Sequence, residues 1–257
     1  MLLAVNAGNT NVSFCVFDGD AMRDSWRAAT NAKRTADEFA AWLVPLMGMA
    51  GLKPADIDAI IIALVVPEMQ FNLKTLCRKY FHCEPLMIGD AGLDLGVEAL
   101  VDMPKQDIGA DRLVNAVEAH ARYGGPLIVV DYGTATNFDI VDDKGNFIGG
   151  VIATGINLSL KALYEAAAKL PHIGVRRPTR VIGKATVPAM ESGIFWGYIG
   201  LVEGLVQRIE KEYGAPMKVI ATGGLAPLFE GSTRFDAVDI DLTLRGLLRI
   251  YQRNRKS

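Results

Sequence analysis

The strongest constraint on this chain is a pattern that occurs twice, with its second copy 125 positions after the first. In the first copy Leu2-Leu3-Ala4-Val5 leads into the polar small-residue turn Asn6-Ala7-Gly8-Asn9-Thr10-Asn11. Val12, Phe14 and Val16 then alternate with Ser13 and Cys15, and Phe17-Asp18-Gly19-Asp20 follows. In the second copy the run Pro126–Val130 meets Asp131-Tyr132-Gly133-Thr134-Ala135-Thr136, then Phe138, Ile140 and Val141, then Asp142-Asp143-Lys144-Gly145-Asn146. A short apolar run, a turn and a period of two read as strand, turn, strand. An Asp-Gly pair adds a hairpin signal. The same order repeated near half the chain length predicts a diverged internal duplication, with halves at 1–119 and 120–257. Two unrelated hairpins sharing turn chemistry are the less economical reading.

Helical stretches fill the gaps. Thr35-Ala36-Asp37-Glu38 is a capping-box pattern that opens a helix to about Met49. Helical spacing recurs at 68–80, 110–123, 157–169, 189–212 and 241–252. Lys218–Thr222 reads as a short buried strand that ends at Gly223-Gly224 and enters a helix at Leu225–Phe229. Hairpins interleaved with helices predict an α/β protein with mixed sheets flanked by helices.

Of the 257 residues 50% are hydrophobic and 22% charged, enough to build a large core, and the net charge is −2. No basic stripe or helix-turn-helix pattern points to nucleic acid. No apolar run is long enough to span a membrane, and MLLAV is too short for a signal-peptide core. Three cysteines without a Cys-x-x-Cys pair fit a reduced, cytoplasmic setting. Cys77 and Cys83 are open to pairing but read more simply as free thiols. His82, His120 and His172 are too scattered to suggest a metal cluster.

Small residues after a buried strand let backbone N–H groups approach an anion, and Thr and Asn add donors and metal-facing oxygens. Both turns have this chemistry, and a duplicated fold can bring both to one phosphate site. A third turn, Thr222-Gly223-Gly224, suits a nucleoside or its phosphates, and reads equally as a plain strand-to-helix turn. Asp131, at a strand end, is a candidate cation ligand, and Asn6 is its uncharged counterpart. In Gly109-Ala110-Asp111-Arg112 a carboxylate and a guanidinium meet at a helix start. These can act as a base on a hydroxyl and a clamp on an anionic group. Composition alone favours a helix cap and a solvated Arg.

The chain resembles the type III pantothenate kinases over nearly its whole length. The resemblance rests on Gly8-Asn9-Thr10-Asn11, Arg34-Thr35-Ala36-Asp37-Glu38, Val65-Val66-Pro67, Gly109–Ala116, Asp131–Thr136, Gly149–Ile152, Gly155-Ile156, Gly183–Thr186, Ser192-Gly193 and Ala221–Ala226. It implies a duplicated ribonuclease-H-like fold of the actin and sugar-kinase type, and a homodimer with each site near the subunit interface. It further implies ATP, Mg2+ or another divalent cation, a monovalent cation (K+ or NH4+), and pantothenate as substrate. On this basis Asp111 is the general base, and Gly109, Ala110, Arg112 and Thr186 contact pantothenate, Thr186 from the neighbouring subunit. Asn6, Gly8, Asn9, Thr10, Asn11, Gly133, Thr134, Thr136, Gly223 and Gly224 hold the nucleotide, and Asp131 binds the monovalent cation.

The departures from the family fall in the same motifs. The family's first turn begins with Asp, where this chain has Asn6. Asn137 follows Thr136 in place of Thr, Thr154 replaces Pro, and Ala185 replaces Asn. Ala63-Leu64 lacks the Ser that precedes Val-Val-Pro, and residues 99–108 contain no Tyr. Asn6 keeps the shape of Asp but not its charge. Losing one electrostatic contact of a transition state costs about 3–4 kcal/mol, or roughly 10²–10³ in rate.

Overall fold

The computed structural model describes residues 1–166 and 170–255, which separate into two packed units. In the first unit β1 (Leu2–Ala7), β2 (Asn11–Asp18) and β3 (Ala21–Ala29) form an antiparallel meander. β4 (Ala59–Leu64) pairs parallel with β1, and β5 (Leu86–Met87) pairs parallel with β4. The sheet order is β3-β2-β1-β4-β5. In the second unit β6 (Leu127–Tyr132), β7 (Ala135–Val141) and β8 (Phe147–Thr154) form the same meander, and β9 (Lys218–Thr222) and β10 (Ala237–Val238) extend it in parallel. Its order, β8-β7-β6-β9-β10, repeats the first sheet strand for strand. This is the duplicated mixed-sheet α/β arrangement expected from the repeated turns.

Alternation along β1 divides its side chains between two faces. Leu3, Val5 and Ala7 join Val12, Phe14 and Val16 in a core completed by α1 (Ala36–Met49) and α2 (Gln70–Tyr80). Leu2, Ala4, Cys15 and Phe17 are buried outside that core. On this second face α7 (Leu242–Asn254) packs on β1 and β4, and the charges of Asp241 and Arg245 act on the Cys15 thiol. α3 (Ala110–Tyr123) packs in turn on α7, where Thr243 donates to Asn115 at 2.7 Å and Gly246 leaves room for Val114. In the second unit Ile128, Val130 and Tyr132 face a core built with α4 (Ile156–Ala166), α5 (Thr186–Tyr213) and α6 (Ala226–Phe229).

The capping box at Thr35 forms as the sequence suggests. Thr35 N donates to Glu38 Oε2 at 2.7 Å, and Glu38 N donates to Thr35 Oγ1. Asp142 closes the β7–β8 turn by accepting from Lys144 N and Asn146 N. The end of the helix expected at 157–169 falls on residues 167–169, outside the described residues. One packing detail differs from halves drawn at 1–119 and 120–257. From Asp241 onward the chain belongs with the first unit, because the apolar stripe of α7 (Leu244, Leu247, Leu248, Ile250) closes the open face of β1.

Candidate active site

In the first unit the turn proper is Gly8–Thr10, since Asn6 and Ala7 still belong to β1 and Asn11 begins β2. Gly8 N donates to Asn11 O at 3.0 Å, and a Cβ on Gly8 would stand 3.2 Å from that oxygen. Thr30 fixes the turn from the adjoining strand end: its N–H donates to Thr10 O at 2.9 Å and its hydroxyl to Gly8 O at 2.6 Å. Asn9, Thr10 and Asn11 stay exposed at the tip. Asn6 lies on the α7 face of β1, level with Ser13 and Ala63 on its neighbours. Its Oδ1 is buried and has no hydrogen-bond partner among the described residues. A buried oxygen without a donor costs free energy unless a cation or a donor meets it. That oxygen therefore fits a divalent cation or its water shell.

Gly109 precedes α3, and Arg112 N and Leu113 N both donate back to its carbonyl. The Asp111 carboxylate folds over Gly109, where a Cβ would lie 2.9 Å from Oδ1, and that Oδ1 accepts from Arg112 N at 2.9 Å. Burial raises the Asp111 carboxyl above the ordinary carboxylate range, against the opposing pull of Arg112. A carboxylate made more basic in this way suits a proton acceptor. Ala110 is buried.

The second unit gathers the second and third turns. β6 and β9 run parallel with Asp131 level with Thr222, so both strands end at one edge. Gly223 has φ +89°, and a Cβ there would lie 2.7 Å from Asp131 Oδ1 and from Tyr132 O. Only glycine lets these two turns close on each other. Asp131 stands opposite Asn137, as Asn6 stands opposite Ser13, so the two residues hold matched positions in their sheets. Gly133 and Thr134 are exposed at the tip, as is Gly224. Behind them Tyr132 stacks on Phe229 with ring centroids 5.0 Å apart, and Phe195 stacks on the same ring at 5.3 Å. This aromatic wall holds the Asp131 strand end rigidly.

Thr136 departs from the expectation that it reaches a nucleotide. It is buried, pairs across from Tyr132 on the core face, and its hydroxyl bonds to Tyr198. The pleat sends its side chain inward, where it supports the turn from the core side. Thr186 opens α5 and is exposed.

Three contributors were not singled out as site residues in the sequence. Thr30 clamps the first turn, Tyr198 holds Thr136, and Gly155 packs under the second turn, where a Cβ would fall 2.0 Å from Thr134 O. The Gly155-Ile156 motif was the available signal for Gly155, and it also sets the start of α4 beside Thr134. The hydroxyls of Thr30 and Tyr198 carry no motif.

Comparison with known proteins identifies the family. The model of the family described as type III pantothenate kinase matches residues 2–208. The type III pantothenate kinase of Paramagnetospirillum magneticum is 62% identical over 255 residues, covering 99% of this chain and 98% of that protein. That of Rhodospirillum rubrum is 60% identical over 256 residues, covering 99% of each. Among solved structures, the activator of 2-hydroxyisocaproyl-CoA dehydratase from Clostridium difficile, with bound ADPNP, aligns with a TM-score of 0.55 at 13% identity, over 100% of this chain and 98% of that one. A Campylobacter jejuni chain described as a Baf family transcriptional activator aligns with a TM-score of 0.62 at 19% identity, over 98% of each. At such identities these structures speak for the fold alone, which is that of the actin and sugar-kinase type. With the family model matching residues 2–208 and relatives 60–62% identical over 99% of its length, this chain belongs to the type III pantothenate kinase family.

Proposed function

We propose that this protein transfers the γ-phosphoryl group of ATP to the primary hydroxyl of pantothenate, the first step of coenzyme A synthesis, in the cytoplasm. The observation that carries this reading is Asp111, a carboxylate made more basic by burial at the mouth of α3 and set beside Arg112. In this reading Asp111 accepts the hydroxyl proton as that oxygen attacks phosphorus, and the bond to the β-phosphate oxygen breaks to release ADP. Arg112 holds the pantothenate carboxylate by paired N–H donors. The backbone N–H groups of Gly8–Thr10 and of Gly133 and Thr134 hold phosphate oxygens, and Gly223 and Gly224 let the nucleotide come close.

A divalent cation, when bound, neutralises the phosphate charge; the unpartnered Asn6 Oδ1 supports a place for it at the first turn. The carboxylate of Asp131 would serve the monovalent cation. Ile152, Val181 and Ile182 are 65%, 65% and 79% exposed, and these apolar side chains on the second unit support a homodimer, with Thr186 completing the partner's site. No helix among the described residues is long and apolar enough to cross a membrane.

A coupled ADP-release assay with pantothenate, ATP, Mg2+ and K+ tests the proposal. Turnover that falls sharply in Asp111→Asn supports it, and no turnover of the parent at high enzyme concentration sinks it. Asn6 favours a second reading, a non-catalytic relative that binds a ligand or partner protein. Isothermal titration showing pantothenate and ATP binding without turnover would select that one.

A further inference from the structure

Arg34 lies outside the machinery described so far, and its environment is unusual for a cation. Its Nη1 is buried and finds no hydrogen-bond acceptor among the described residues. The guanidinium is held over the ring of Phe39, 5.2 Å from the centroid, and Phe39 is itself fully buried against Phe14. The nearby acid is Glu38. The charge of Arg34 acts on it, but the Oε2 of Glu38 already accepts from Thr35 N at 2.7 Å and Thr35 Oγ1 at 2.9 Å. A buried guanidinium N–H without an acceptor is costly, and Arg is the side chain best shaped for phosphate oxygens.

Its location ties it to the first turn. β3 ends at Ala29, level with Asn11, so the segment that follows leaves the sheet at the end where Gly8–Thr10 sits. Thr30 is bonded to both Gly8 and Thr10, and a tight turn then brings Arg34 N to Asn31 O at 3.0 Å. Asn6 is on the α7 face of the sheet, whereas Arg34 and Phe39 are on the α1 face. Arg34 thus follows directly on the segment that clamps the turn, on the face opposite Asn6.

We propose that Arg34 is a phosphate-binding residue of the first turn, and that its ligand is the phosphate chain of the nucleotide. This rests on the nucleotide reading given above. An incoming phosphate oxygen meets a donor already fixed by its contact with the Phe39 ring.

The test is Arg34→Met and Arg34→Lys, with ATP and pantothenate affinity measured by isothermal titration and thermal melting of each ligand-free protein. Arg34→Met is expected to weaken ATP binding by on the order of tenfold to a hundredfold. It should leave pantothenate affinity unchanged and the melting temperature equal or higher, since an unsatisfied buried N–H group is replaced by an apolar chain of similar length. Arg34→Lys is expected to recover part of the ATP affinity. Loss of melting temperature with equal weakening of both ligands would mean a structural role and overturn the inference. Unchanged ATP affinity in Arg34→Met would overturn it while leaving the kinase reading intact. A parent protein that binds no ATP would overturn both.

Discussion

Asn6→Asp is the most informative single change, because the structure makes its effect depend on what is bound. The substitution is nearly isosteric and replaces a buried amide that lacks a partner at Oδ1 with a carboxylate. In the ligand-free protein that charge has no donor, and the penalty for such burial is several kcal/mol. Beside a metal–nucleotide complex the balance reverses. One unit charge about 4 Å from another gains about 4 kcal/mol at the effective dielectric of a site near the surface. This is close to the roughly 3–4 kcal/mol attributed to one transition-state contact. The variant should therefore melt lower than the parent in EDTA, by about 2–4 °C for each kcal/mol lost. It should regain that difference with Mg2+ and ATP. In the coupled ADP-release assay its kcat should rise by roughly 10²–10³. An unchanged kcat together with a melting temperature indifferent to Mg2+ would refute the placement of Asn6 beside the metal–phosphate complex.

Other changes test the rest of the site. Asp111→Asn should lower kcat by about 10²–10⁴ with pantothenate affinity retained. In the parent, kcat/KM should fall on the acid side through an apparent pKa above the ordinary carboxylate value, because burial favours the protonated form. The same shift carries a stability sign. Above the raised folded-state pKa the ionised Asp111 costs stability, and below the unfolded-state pKa it costs nothing, so Asp111→Asn should raise the melting temperature at neutral pH but not in strong acid. Gly155→Ala places a methyl 2.0 Å from Thr134 O and must displace the second turn. The expected result is a KM for ATP raised at least on the order of tenfold, as misplacement near a reacting group allows. Thr136→Val removes the bond to Tyr198, while Tyr198 keeps its bond to Thr154 O at 3.2 Å. It should cost about 1 kcal/mol in urea unfolding and leave the KM for ATP unchanged.

Much of this was legible because the turns have a local cause. An apolar run that stops at Asn6 or Asp131 and is followed by Gly8 or Gly133 fixes a strand end and a sharp turn without help from the rest of the fold. What the sequence hid depends on partners far along the chain. β4 gives no alternation, since Ile60, Ile61 and Ile62 are all buried and the parallel strand is covered on both faces. β3 is the sheet edge and mixes polar with apolar residues, exposed and half-buried in turn. Thr136 has the right chemistry for a nucleotide ligand, but the pleat decides which face it occupies. The pairing of Tyr132 with Thr136 across a short turn puts both on the core side. The basicity of Asp111 is likewise invisible in Gly-Ala-Asp-Arg, because it arises from burial rather than from its neighbours in sequence.

The place of α7 has a consequence for how the protein is made. The first sheet needs Leu244, Leu247, Leu248 and Ile250 to cover its second face, and these residues follow the whole of the second unit. A ribosome adding about 5–20 residues each second would take on the order of ten seconds to travel from Glu118 to Asp241. During that interval the second unit can fold while the first holds β1 and β4 with one apolar face uncovered. The half of the protein that emerges first is thus completed last. Its newborn surface is where a chaperone would be expected to bind, and moving the α7 segment ahead of β1 by circular permutation should shorten that exposure.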